Sequence, residues 1–306
     1  MKLNAHLKTY PSYRFLTVIS LIFLALAGCT SIRPNQAIVD THPLDDSAFS
    51  YESYARVLDV YVNEQGLVNY AALVQNPEDL DQFYHQIATI SPDSHPHLFP
   101  IENDRLAYWI NAYNSTVLKG VVEYYPITSV ADVKEPAPLF FFPSKSGFFF
   151  FQRFTYGSNE TSLYFLENSV IRDRFDDPRI HFALNCASSS CPELPRQPIY
   201  PESLERQLEA ETYKFINSPE NVRYDSQDNV LSLSSIFDWY EDDFIAWIKK
   251  YSPEQEANPV NFVMEYLPEE TAQSIREGLD DLTIVFMPYD WGLNDQDRKQ
   301  EQAHIR

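Results

Sequence analysis

An α+β fold follows from three features of the chain. Residues 104 to 124 carry apolar side chains at helical spacing, residues 179 to 185 alternate as a strand does, and no linker interrupts residues 50 to 295. Helix and strand signals mix without the strict alternation of a doubly wound sheet. The reading is therefore a single mixed helix and sheet domain at 50–295, behind a cleaved lipoprotein signal peptide at 1–28 and a lipidated tether at 29–49, with a polar tail at 296–306.

Residues 51–63 and 78–90 read as helices and lead, past the proline-rich stretch 91–100, to the clearest helix of the sequence. There Leu106, Ile110, Tyr113, Val117 and Val121 recur every three or four positions, and Pro126 lies beyond the end. Asn114 falls about 40° from Ile110, inside the apolar stripe, and Asn111 lies on its flank. A buried asparagine needs partners for its amide. Residues 139–156 then hold eight phenylalanines in two blocks around Ser144, Lys145, Ser146 and Gly147, which predicts a hairpin between aromatic strands.

A shorter helix at 162–174 turns Leu163, Leu166 and Val170 to one face, and Glu167 falls about 40° from Leu163 on that face. A carboxylate there requires a cation, several donors or a raised pKa. Residues 179–185 read as a strand with Ile180, Phe182 and Leu184 on one side and His181, Ala183 and Asn185 on the other. Cys186 opens a serine-rich loop that runs to Cys191 and Pro192. A helix at 201–217 and a strand at 229–233 follow. Ser235 reads as the cap of a helix burying Phe237, Tyr240, Phe244, Trp247, Ile248 and Tyr251. Two further helical pieces precede a strand at 282–287 and the turn 288–292.

The chain has 306 residues, 44% of them hydrophobic, which is ample for a full-sized core. Its 44 acidic against 23 basic side chains give a formal charge of −21, which excludes phosphate-backbone binding, so no nucleic-acid partner is expected. Lys2, Lys8 and Arg14 precede an apolar run from Phe15 to Gly28, too short to span a membrane comfortably, and Leu26-Ala27-Gly28-Cys29 resembles a lipobox. Lipidation of Cys29 would tie the protein to a membrane, and cleavage before it would remove Lys2, Lys8 and Arg14 and take the net charge from −21 to −24. Thr30 rather than aspartate follows the cysteine, so the resemblance to lipoproteins points to the periplasmic face of the outer membrane. Cys186 and Cys191 would then remain in an oxidising compartment.

Five stretches in order resemble the bacterial and plant family called domain of unknown function 547: Ala107–Asn114 (AYWINAYN), Ser162–Arg172 (SLYFLENSVIR), His181–Pro192 (HFALNCASSSCP), Leu233–Phe244 (LSSIFDWYEDDF) and Tyr289–Asn294 (YDWGLN). The resemblance places the family's glutamate, strand histidine and paired cysteines on Glu167, His181, Cys186 and Cys191, and its first-helix asparagine on Asn114. It departs at Asn168, where the family commonly has histidine after the glutamate.

One chemical reading makes Cys186 the nucleophile of a hydrolase or transferase, with a histidine as base and Asn114 or Glu167 orienting or stabilising charge. Within one unbroken strand His181 and Cys186 point to opposite faces, so this pairing needs the strand to end near Asn185. The remaining mature histidines, His42, His85, His95, His97 and His304, lie in weak context. The alternative is a structural Cys186–Cys191 disulfide in a non-catalytic binding lipoprotein. Zinc on the two cysteines and His181 lacks the usual paired ligand motifs, and a Glu167–Asp290 carboxylate pair has no spacing to support it. The site expected is Cys186, His181, Glu167 and Asn114, with no cofactor or metal, acting on a small-molecule or envelope-component ligand that the sequence does not identify.

Overall fold

The computed structural model describes residues 30–41, 44–135 and 145–297. The signal sequence, Cys29, His42, His304 and the first phenylalanine block lie outside the described residues. The chain is a mixed α+β structure in which the described residues form two hydrophobic cores with a three-stranded sheet beside each. Among the described residues no helix is long and apolar enough to cross a membrane.

Residues 30–41, expected to form a featureless tether, are docked on the fold. Strand β1 (Thr30–Ser31) pairs parallel with β2 (Gln152–Tyr156), in the register Thr30 to Gln152, and helix α1 (Gln36–Thr41) follows. Ile32 and Ile38 are buried, Tyr84 donates its hydroxyl to the Ile32 carbonyl at 2.5 Å, and Asn35 donates to Asp81 at 2.9 Å. Two isolated apolar residues give no periodic signal, yet their burial fixes the segment.

Helices α2 (Glu52–Tyr61), α3 (Tyr70–Gln75) and α4 (Glu78–Thr89) surround α5 (Glu102–Tyr124), the axis of the first core. Every residue of α5 from Leu106 to Val121 is buried, so this helix is enclosed on all sides rather than amphipathic. Its one buried cation, Lys119, meets Asp81 at 2.8 Å and Glu123 at 2.6 Å. Gly120 permits the close approach of Phe148, whose ring would lie 2.9 Å from a Cβ there.

The second phenylalanine block differs from the expected hairpin. Helix α6 (Ser146–Phe149) takes up its start, and β2 begins only at Gln152 before turning into β3 (Asn159–Thr161). Helix α7 consists of α-helical ends, Leu163–Phe165 and Arg172–Arg174, joined by a π turn at Leu166–Ile171. The wider turn carries the stripe one residue further than a 3.6 period allows, so Ile171 is buried where Val170 was expected.

The expected strand at 179–185 is instead a 3-10 helix, Pro178–Phe182, followed by an irregular run. Asp177 caps it by accepting the Arg179 N–H at 2.9 Å, and Pro178 opens it. The alternation has another cause: this segment is a seam, with Ile180, Ala183 and Leu184 in the first core and Phe182 in the second.

The second core lies among α8 (Leu204–Ile216), β4 (Val222–Asp225), β5 (Val230–Ser234), α9 (Ile236–Trp239), α10 (Glu241–Tyr251), α11 (Pro259–Tyr266) and α12 (Glu269–Glu277), completed by β6 (Thr283–Met287). Strand β5 runs antiparallel to β4 and parallel to β6. The helix expected after Ser235 is broken at Tyr240. Ser235 does not cap it but donates to the Met287 carbonyl, and Tyr251 is exposed rather than buried.

Candidate functional site

Helix α5 reaches across the first core to hold the segment that carries Cys186. The Asn114 amide donates to the Ala183 carbonyl at 2.8 Å and accepts the Asn185 N–H at 2.8 Å, so both of its ends are used on backbone. Asn111 clamps Ile199 in the same way, donating at 2.7 Å and accepting at 3.0 Å. Asn185 in turn donates to the Pro192 carbonyl and accepts the Ala187 N–H. Ala187 stands at φ 61°, a left-handed conformation costly for a residue with a Cβ. Cys186 is thus presented, half-buried, at the apex of a tight turn pinned from both sides.

The Cys186 sulfur lies 3.1 Å from the Ser188 hydroxyl and 3.2 Å from that of Tyr289. Ser188 donates to Tyr289 at 2.9 Å, which leaves the tyrosine proton for the sulfur. Both cysteines are free thiols, and the Cys186 N–H donates to the Cys191 sulfur at 2.7 Å. Hydrogen bonding from Cys191, against burial and with help from Ser188 and Tyr289, brings the Cys186 thiol down to about 7. Burial, and donation to Cys186, push Cys191 up. Burial followed by the charge on Cys186 does the same to Tyr289. One sulfur is therefore poised to ionise near neutrality, and its neighbours keep the protons that stabilise it.

Around Tyr289 stands an aromatic wall. Its ring lies 4.5 Å from Trp291 and 4.8 Å from the exposed Trp239, and the Lys145 ammonium sits 3.4 Å above Trp291. Behind the cysteine loop a cavity of about 300 Å³ is lined by Asn185, Ser188, Cys191, Glu211, Lys214 and Asn294, among others. Burial raises the Glu211 carboxyl there.

The second half of the site is built on the π turn of α7. Glu167 accepts the Tyr113 hydroxyl at 3.1 Å and the Tyr240 hydroxyl at 2.6 Å, one on each oxygen. Burial and then the Glu167 charge push both phenols well up, so they remain donors. The break between α9 and α10 frees Tyr240 to stack on His181, with ring centres 3.9 Å apart. The other face of this arrangement is an ion cluster. Asp243 takes His181 Nε2 at 2.7 Å and a two-pronged contact from Arg172 at 2.8 and 3.0 Å. Burial works to raise the Asp243 carboxyl, but His181 and Arg172 together outweigh it and hold the group well below the usual carboxylate range. Asn168 accepts from Arg172 at 2.6 Å, so this residue serves as a guanidinium partner.

Of the sequence-expected residues, Asn114 meets the Cys186 segment through backbone, and Glu167 and His181 meet through Tyr240. Tyr113 and Tyr240 both feel the charges of Glu167 and Cys186, which makes the two halves one neighbourhood. His181 pairs with Asp243 while Cys186 pairs with Ser188 and Tyr289, so the hydrogen bonds hold the imidazole and the thiol in separate sets. Asp290 and Glu167 likewise have separate partners, Asp290 accepting the Gly292 N–H at 2.8 Å within the final turn. Among the described residues no group of three His, Cys, Asp or Glu side chains could hold a metal ion. Sequence reasoning missed Tyr113, Ser188, Tyr240, Asp243 and Tyr289 as site members. All five occur within the quoted motifs, and a tyrosine, serine or aspartate there carries no periodic signature.

Residues 98–216 match the family described as a protein of unknown function, DUF547. No curated protein and no solved structure matches the chain.

Proposed function

Proceeding from the membership of this chain in the DUF547 family, we propose that it is a thiol-dependent hydrolase or transferase, exported and lipid-anchored through Cys29 on the periplasmic face of the outer membrane. The observation that carries the catalytic part is the Cys186 sulfur, part-buried on a pinned turn and surrounded by three side chains, Cys191, Ser188 and Tyr289, that favour its ionised form. In this reading the Cys186 thiolate attacks an acyl carbonyl, forming a thioester while the leaving group departs with a proton. Water or an acceptor nucleophile then attacks the thioester, breaks the C–S bond and returns the sulfur to its starting state. Tyr289 is the hydroxyl whose proton this network leaves for the sulfur. Asn114 acts as a positioning residue, because its amide is spent on holding Ala183 and Asn185. Glu167, Tyr240, His181 and Asp243, with Arg172 on Asp243, form a bonded and stacked network on the neighbouring elements that holds Tyr240 in place. The anchor is supported by the lipobox sequence alone, and a small molecule or envelope component fits the expected substrate.

The test is acylation of the purified protein with p-nitrophenyl acetate. The expected result is an acetyl adduct on the Cys186 peptide by mass spectrometry and loss of nearly all turnover in Cys186→Ala. Unchanged turnover in that variant, with no adduct at Cys186, would refute the assignment. The closeness of Cys191 to Cys186 sustains a second reading, a structural disulfide in a non-catalytic binding lipoprotein. Counting thiols in the native protein separates the two, since two reactive thiols favour the nucleophile and none favours the disulfide.

A further inference from the structure

The chain meets its anchor at an aromatic surface. Thr30, the residue immediately after Cys29, donates its N–H to the Phe151 carbonyl at 3.3 Å and is paired with Gln152. Consecutive Cα atoms are about 3.8 Å apart whatever their conformation. A lipid on Cys29 therefore attaches to the fold directly beside the 150–153 segment. No length of free chain separates the two.

Beside that attachment point lie three rings. Phe150 is 5.4 Å from Phe165 and 5.8 Å from Tyr164, Tyr164 and Phe165 are 5.6 Å apart, and the Arg153 guanidinium stands 5.9 Å over Phe165. Tyr164 and Phe165 are 49% and 36% exposed, on successive positions of α7. Aromatic rings next to a basic side chain are the composition that settles at the headgroup level of a bilayer, with the rings in the acyl boundary and the charge at the phosphates. The mature chain's charge of −24 would oppose docking by attraction to anionic lipid, so ring insertion has to supply the contact.

We infer that Phe150, Tyr164, Phe165 and Arg153 form a membrane-docking face that seats the protein on the bilayer holding its own lipid anchor. This rests on the anchor part of the proposed function and not on the thiol chemistry. It also fixes an orientation: α7 carries the docking rings at one end and Glu167 less than a turn later, so the candidate site lies close to the bilayer surface.

Hydroxyl-radical footprinting of the lipidated protein in phosphatidylethanolamine–phosphatidylglycerol vesicles tests the inference within one sample. Tyr213 and Tyr251, 57% and 56% exposed, match Tyr164 in residue type and nearly in exposure, so the three would oxidise alike in the absence of docking. Docking is expected to slow oxidation of Tyr164 about threefold or more relative to the other two, as immersion removes it from water. Phe165→Ser, at an exposed position, is expected to restore much of that reactivity. Equal oxidation of the three tyrosines in protein whose Cys29 peptide carries lipid would overturn the docking face alone. A Cys29 peptide without lipid would overturn the anchor reading and the docking inference with it.

Discussion

Cys186 is the residue on which the chemistry turns, and its ionisation is directly measurable. With the thiol brought to about 7 by Cys191, Ser188 and Tyr289, the rate of alkylation by iodoacetamide is expected to rise with pH through a midpoint near 7, well below an ordinary cysteine. Tyr289→Phe is expected to move that midpoint upward, because the sulfur loses a donor, and a shift of about one unit corresponds to roughly 1.4 kcal/mol. A midpoint unchanged in the variant would show that Tyr289 does not support the thiolate. Asn114→Ala tests the clamp: it leaves the Asn185 N–H and the Ala183 carbonyl without their partner in a buried setting, and a loss of about 2 to 4 kcal/mol in chemical denaturation is expected. Helical phase singled out Asn114 and Glu167; the structure gives the buried Asn114 two backbone partners and the half-buried Glu167, on its π turn, two phenols. Tyr289 was not legible, since it stands 103 positions from Cys186 and only the folded chain brings them together.

At the scale of elements, what the sequence revealed depended on whether a segment serves one core or two. Helix α5 lies within the first core, and its extent was legible although it is buried on every side from Leu106 to Val121. The 178–184 segment feeds both cores, so its apolar residues alternate for a reason unrelated to strand geometry, and the strand reading failed there. The change matters chemically, because a coil after Phe182 removes the rule that would set His181 and Cys186 on opposite faces. The π turn of α7 was equally hidden: one extra residue per turn moves Ile171 into the core and leaves Glu167 facing two phenols. If the seam is a joint packing element, Phe182→Ala should cost about 3 to 5 kcal/mol in denaturant unfolding, the range for a large aromatic truncated in a well-packed core. It should also alter Cys186 alkylation four residues away. A destabilised variant with unaltered thiol reactivity would uncouple the seam from the site.

At the scale of the molecule, the two cores are joined on this face by the ion cluster at Asp243. Arg172 belongs to α7 on the first core, His181 to the seam and Asp243 to α10 on the second, so one carboxylate ties three elements. Its folded pKa lies below the ordinary value of about 4, which means that the folded state favours the charged form. The stability this supplies is present in full above that ordinary value and is lost as pH falls toward the folded pKa. Thermal unfolding of the native protein should therefore show a falling midpoint as pH drops below about 4. Asp243→Asn, unable to ionise, should be less stable at pH 7 by about 1 to 3 kcal/mol, because Arg172 loses its counter-charge. Its midpoint should also fall less steeply in acid than that of the native protein, since the proton that breaks the cluster has no carboxylate to bind. Parallel acid profiles for the two proteins would mean that the bond between the cores lies elsewhere.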